Sequence, residues 1–354
     1  VGIYETRPGT PVLELPCSAA NWTRRLSGTG TGSHSFPLYG LGVPKSLIRE
    51  IAEGNKYTVA HKWGDHVAYA GVISNRNFNE SSSVLTVASK EFRSALLGAR
   101  MTFGVDSYNA AGGVLTVTDK SRSGAVRIVL TAAMAPSAEW ALPVDLPSDS
   151  AGGFDASWRH EETLTIEDLI RQVEDDGVEV DFRPYIHTDG TLRYETRVDL
   201  KISAGGTTDI AARAPGSIVT GLEYTDDYAN AVTGVIGFGN GTGQDRLSAY
   251  APTGGSGAVY SPVRDIKIEF PDIYDQNRLQ RAVTAAYEAQ KDPVSQWSFG
   301  LHVYGTGPQI ADPGRTLNMF IYGSAFAEDG RHPKRVIALS GGLGYEVTPE
   351  VQDG

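Results

Sequence analysis

The chain has 354 residues, with 31 Lys and Arg against 42 Asp and Glu for a net charge of −11, 40% hydrophobic residues and 21% charged ones. That length suggests about two domains at roughly 150 residues each. The apolar content excludes a disordered chain, and the acidic balance excludes a protein built to grip phosphate backbones regardless of sequence. Its 41 glycines make up about 12% of the chain against a background of about 7%. Tyr outnumbers Phe 16 to 11, a balance that many turns and half-exposed strands produce.

Cys17 is the single cysteine, so no internal disulfide forms. With no activating histidine indicated, it reads as an inert thiol. Residues 1–11 lack a basic stretch followed by an apolar one, and no segment reaches the ~18 apolar residues of a membrane span. The expectation is a soluble protein with no cleaved leader and no membrane anchor.

In chain order, Gly28-Thr-Gly-Thr-Gly32 lacks the serine of a nucleophile elbow and reads as a turn before a strand beginning near Phe36. A short helix is expected over 44–53. Alternation at Tyr57, Val59, His61, Trp63 and again at Val67, Tyr69, Gly71, Ile73, with Gly64 and Asp65 between, predicts a β-hairpin. Strands follow near 84–87 and 114–117, with short helices over 90–97 and 124–134. Thr165 and Asp168 form a capping-box pattern ahead of Ile166, Leu169, Ile170 and Val173, which predicts a helix near 165–176 stopped by Gly177. The clearest alternation runs from Leu192 to Ile202, with Arg193, Glu195, Arg197, Asp199 and Lys201 on the wet face. Other strands are expected at 178–182, 266–270, 297–303, 317–321 and 343–347, with a second long helix near 275–291. The Pro-, Ser- and Gly-rich stretch 136–153 marks a domain boundary, giving domains of 1–147 and 148–354. The glycine-rich stretch 237–261 reads as a long loop.

No motif in this pattern carries chemistry. Gly237-Phe-Gly-Asn-Gly-Thr-Gly243 has glycine at every second position, which fits neither the dinucleotide fingerprint nor the P-loop. The seven histidines, including His61 and His66 on either side of the hairpin turn, lack zinc-site spacing. Asp226-Asp227 and Glu161-Glu162 are acidic pairs of the type a glycosidase uses, but adjacent acids more often form a solvated face. No catalytic, cofactor-binding or metal-binding residue is therefore assigned. The charge distribution is more telling: Glu161 to Asp181 holds nine acids opposed by Arg171 alone, which is −8 of the −11. Such a patch would repel passing DNA or meet a basic partner, or else act as a solubilising helix face.

The segment from Asn21 to Leu38, Asn-Trp-Thr-Arg-Arg-Leu-Ser-Gly-Thr-Gly-Thr-Gly-Ser-His-Ser-Phe-Pro-Leu, resembles the start of minor tail proteins of long-tailed actinobacteriophages. Tyr57 to Trp63 and Val67 to Ile73 resemble that family's strand, turn and return strand, and Val84 to Arg100 its following strand and short helix. Leu169 to Val173, Val180-Asp-Phe-Arg-Pro184 and the strand through Leu200 resemble its later helix and strand segment. The family is similar to phage baseplate hub proteins. The resemblance implies a mainly β, α+β fold of two tail-tube-like β-barrel domains with helical decorations. It also implies a structural virion protein, made in the host bacterial cytoplasm, that forms the tail tip hub ring. As a homotrimer it would adapt the six-fold tube to a three-fold tip, contact the distal tail protein, the tape-measure protein and other tail tip proteins, and let genome DNA pass without specific binding. Many such hubs carry a long C-terminal extension; this chain stops at Gly354, which would leave receptor binding and wall cleavage to other proteins. The alternatives are a β-sandwich carbohydrate- or receptor-binding module and, further off, a glycosidase.

Overall fold

The computed structural model describes residues 1–40, 42–103, 113–135, 141–253, 263–271 and 273–353. Contacts divide the chain into two units, Val1–Leu222 with Phe299–Gly354, and Glu223–Ser298. The fold is mainly β with a few helices, as expected.

The first unit begins with strands β1 (Gly2–Glu5), β2 (Pro11–Glu14), β3 (Ala19–Arg25) and β4 (Thr31–Pro37), then a short helix α1 (Lys45–Ile51). The predicted hairpin follows as β5 (Tyr57–Trp63) and β6 (His66–Asn79), turning at Gly64 with a φ of +60°, and β7 (Val84–Glu91) comes next. Next come β8 (Val114–Lys120), helix α2 (Arg122–Met134), β9 (Val144–Asp145), β10 (Phe154–Arg159), helix α3 (Ile166–Glu174), β11 (Glu179–Ile186), β12 (Leu192–Asp199) and β13 (Thr207–Ala211). The chain leaves along β14 (Val219–Asp227) and returns along β18 (Val294–His302) to finish with β19 (Thr316–Ile321), β20 (Gly330–Gly342) and β21 (Glu346–Asp353).

From β18 the large sheet runs β18-β21-β20-β3-β4-β7-β6-β5-β1-β2, with β19 and β13 branching from β20. It is two runs of strands, β1–β7 from the start of the chain and β13 with β18–β21 from its end, joined where β20 pairs with β3 from Ala338 and Arg25 to Gly342 and Asn21. The first run curls strongly. β3 and β5 are four places apart, roughly 19 Å in a flat sheet at about 4.8 Å per strand, yet the rings of Trp22 and His61 lie 5.7 Å apart. Bulges at His61/Lys62, Ile73/Asn75 and Val336/Ala338 bend the strands. The absence of a side chain at Gly71 makes room for Tyr69, whose hydroxyl would lie 2.1 Å from a Cβ there. Among the described residues no sheet closes, so the two expected barrels are runs of one curled sheet.

Residues 114–199 build a helical layer on this sheet. Ala125, Val126, Val129 and Leu130 of α2 and Ile166, Leu169, Ile170 and Val173 of α3 pack with Phe92, Trp158, Val180, Phe182 and Tyr194. The predicted capping box opens α3: the Thr165 hydroxyl accepts from the Asp168 N–H and the Asp168 carboxylate from the Thr165 N–H. β8 pairs with β10, and β9 with β12, across position 147/148. The described part of the proline-rich stretch is thus a connection inside one body, tied down where Arg127 donates to the Pro147 carbonyl at 2.8 Å. Residues 136–140 of that stretch lie outside the described ones.

The second unit is a small sheet, β16-β15-β17, made of β15 (Gly234–Phe238), β16 (Ser248–Ala251) and β17 (Asp265–Glu269), with helix α4 (Gln276–Gln290) on one face. Leu279 and Val283 of α4 bury against Val232, Val235, Ala249 and Ala251. The stretch read as a long loop is, up to Ala251, an antiparallel hairpin of β15 and β16; 254–262 lie outside the described residues. Gly237 serves close packing: a Cβ there would sit 2.1 Å from the Val283 side chain. Gly237→Ala is therefore expected to destabilise this unit by about 1–3 kcal/mol, read by urea unfolding, and Val283→Ala in the same chain should recover part of the loss.

Candidate functional site: a buried charge network

The acidic segment is solvated only in part. Glu161, Glu162, Asp175 and Asp176 are exposed, whereas Glu167, Glu174, Glu179 and Asp181 point into the first unit, where arginines from the sheet and neighbouring elements meet them. Arg24 on β3 is buried and donates through Nη2 to Asp181 on β11 at 3.1 Å, and its Nη1 lies 3.9 Å from Asp312. Arg197 on β12 shares the same Asp181 oxygen through Nε at 3.1 Å. Asp312 also faces His66 Nε2 at 3.1 Å. Two guanidinium groups thus oppose two carboxylates.

Glu91, at the end of β7, lines the same small cavity as Arg93, Asp181 and Tyr194. It accepts the N–H of Gly30, a residue whose missing side chain lets the backbone approach, since a Cβ there would lie 1.8 Å from the Thr23 carbonyl. Burial is the main cause that pushes the Glu91 carboxyl up to about 8, with Arg24 pulling the other way. Burial works against the Arg24 cation, but Asp181 first and then Asp312 outweigh it and its pKa rises. Burial alone would also raise Asp312; His66 and Arg24 bring it below its usual value.

A second cluster joins α3 to the turn after β7. Arg93 donates to Glu167 at 2.7 Å, to Glu174 at 2.8 Å and to the Val180 carbonyl at 3.0 Å, and Arg171 holds the other Glu167 oxygen at 2.8 Å. In a third, Arg335 on β20 donates to Glu179 at 2.7 Å and to the Ile202 carbonyl at 2.8 Å, while Glu179 accepts the Ile202 N–H at 2.7 Å. Arg122 pairs with Asp176 and Asp168 caps α3, which accounts for two more of the nine acids.

One acid of each pair considered as a catalytic candidate is occupied locally. Glu162 accepts the Arg159 N–H at 3.0 Å, and Asp227 the Ala229 N–H at 2.7 Å. His34 and His61 lie inside the curl of the large sheet with their rings 5.6 Å apart, beside Trp22 and Tyr69. Burial lowers His61 to about 4, and burial together with His61 lowers His34 to about 3. The acidic segment was visible in the sequence, but its partners were not. Arg24, Arg93 and Arg335 carry no local signal, because the residues they meet lie 157, 74 and 156 positions away.

This arrangement attaches layers to one another rather than offering reactive groups to a ligand, and the fold that it braces is that of phage tail proteins. Over 100% of its length the chain is similar to the 43 kDa tail protein of prophage MuSo2 from Shewanella oneidensis, with a TM-score of 0.61, 10% identity and 98% of that chain covered. The tail protein from Neisseria meningitidis MC58 gives a TM-score of 0.58 at 12% identity, over 99% of this chain and 96% of that one. An Escherichia coli type VI secretion component, itself described as structurally similar to T4 bacteriophage tail proteins, gives 0.51 at 10% identity over 97% of this chain and 75% of that one. No protein-family model and no curated protein matches the sequence.

Removing one partner from a buried pair strands the other charge, so Asp181→Asn and Arg93→Met should each destabilise the first unit by about 3–5 kcal/mol, measured as a fall in the urea midpoint. A pH series checks Glu91. Its folded pKa lies above its ordinary value of 4.5, so the fold keeps a proton that the unfolded chain has released, and stability falls as pH rises from about 4.5 to 8. Glu91→Gln should remove that decline and be more stable than the wild type above pH 8.

Proposed function

We propose that the chain is a structural, non-enzymatic tail protein of a long-tailed phage, the hub of its tail tip. It assembles as a homotrimer, adapts the six-fold tube to a three-fold tip and surrounds the channel through which DNA leaves. The observation that carries this reading is the correspondence with tail proteins from two bacteria, which takes in nearly the whole of this chain and of theirs. Residues 1–147 and 148–354 are, in this reading, two related tube-like halves, each contributing one run of strands to the large sheet. The distal tail protein, the tape-measure protein and other tail tip proteins are its neighbours in the virion, and the host cytoplasm is where it is made.

Two physical features support it. A sheet that curls without closing is a segment of wall, which needs neighbouring copies to complete a tube. The net charge of −11 suits a channel that genome DNA traverses without sticking. A glycosidase would need two carboxylates turned toward a substrate, whereas Glu162, Glu167, Glu179 and Asp181 are engaged with arginines or backbone N–H groups. No described helix is long and apolar enough to cross a membrane.

Two-dimensional class averages of the purified full chain test the assembly, and antibody labelling of virions tests its place. A three-fold ring with a central hole and label confined to the distal end of the tail are expected. A protein without ring assembly that retains cell-wall polysaccharide would overturn the reading in favour of a carbohydrate-binding module.

A further inference from the structure

Besides Tyr39 and Phe78, the first unit presents two groups of aromatic rings to water. One is a connected patch: Trp63 meets Tyr345 edge-on at 5.4 Å, Tyr345 meets Tyr304 at 4.8 Å, and His302 lies 6.5 Å from Tyr304 and 6.2 Å from Tyr345. Tyr304 is 69% exposed, Tyr345 49%, and Leu343, two residues before it, 44%. The other is the loop between β19 and β20, where Phe326 is 86% exposed and Tyr322 64%.

That loop is fixed. Ser324 Oγ accepts the N–H groups of Phe326 and Ala327 at 3.2 and 3.1 Å, Asp329 accepts the Gly323 N–H at 2.6 Å, and the Glu328 carbonyl lies 2.7 Å from His332 Nε2. The carbonyl of Tyr322 accepts from Arg213 at 3.3 Å. A large apolar ring held in water on an ordered backbone has the character of an interface anchor, because the loop loses its conformational freedom on folding rather than on binding.

The two surfaces stand at opposite ends of one strand. β20 has 13 residues, Phe326 precedes it and Tyr345 follows it, and at about 3.3 Å per residue the strand separates them by roughly 40 Å. The loop does not reach the patch of its own chain. Two different patches on opposite ends of a protomer make a head-to-tail contact, which closes into a ring when the rotation permits. At roughly 150–250 Å² per aromatic side chain each end offers about 300 Å² of apolar surface. A standard interface takes about 800 Å² from each partner, of which about 450 Å² is apolar. The two ends therefore supply most of the apolar area that a stable contact between copies needs.

We infer that the Phe326 loop of one copy seats against the Trp63, Tyr304 and Tyr345 patch of the next, and that this heterologous contact joins the protomers of the ring. The inference rests on the trimeric reading above and names the surface that makes the trimer.

Mass measurement by light scattering and sedimentation on the full chain tests it with two variants, Phe326→Ser in the loop and Tyr304→Ser with Tyr345→Ser in the patch. All three positions face water, so melting temperatures close to wild type confirm that the variants fold. The wild type is expected at three protomers and each variant at one. Mixing the two variants restores one good contact per pair, so a 1:1 dimer that grows no further is the distinguishing result. Trimers that survive in both variants would overturn this contact and leave the trimeric hub intact. A wild-type protein that stays monomeric at all concentrations would overturn the contact and the trimeric reading together.

Discussion

A guanidinium shut away from water must be met by carboxylates, and three such groups, on Arg24, Arg93 and Arg335, decide how the helical layer attaches to the large sheet. Apolar packing of α2 and α3 supplies most of the attraction, but it is non-directional and tolerates sliding. Fork-shaped donors fixed on β3, on the turn after β7 and on β20 do not tolerate it, because each displaced pair would leave a charge stranded in a low dielectric. The same constraint accounts for four of the nine acids between Glu161 and Asp181, which lie where that segment passes three buried cations. Glu91 fits the scheme as the uncharged member, so that Arg24 and Arg197 are balanced by Asp181 and Asp312.

Local order was legible in the sequence where the cause was itself local. The capping box at Thr165 and Asp168, the reversal at Gly64 and the alternation after Leu192 involve residues a few positions apart, and the structure has each of them. What depended on distant chain was not legible. The pairing of β3 with β20 was not legible because the two strands lie more than 300 residues apart. The run of glycines from 237 resembled a flexible loop because the role of Gly237, admitting Val283 of α4, depends on a helix some 40 residues further on. For the same reason the acids of 161–181 were visible as charge, while their arginine partners were indistinguishable from surface arginines.

Sequence identities of 10–12% to tail proteins of the same fold are consistent with this division of labour. Strand alternation, turn glycines and apolar helix faces can each be satisfied by many residues, so the sheet order outlasts the sequence that specifies it. A curled sheet with unpaired ends also places few demands on any one position. The demanding positions are those where backbone meets side chain at close range, such as Gly30 beneath Glu91 and Gly71 beneath Tyr69.

The pairing of β3 with β20 also sets the order of events during synthesis. The first seven strands emerge from the ribosome long before residues 338–342 exist, so one edge of β3 stays unpaired while some 300 further residues are made. At about 5–20 residues per second that is roughly 15–60 s, ample time for an open strand edge to find another nascent chain. The large sheet is therefore completed only once the β20 and β21 hairpin has been made.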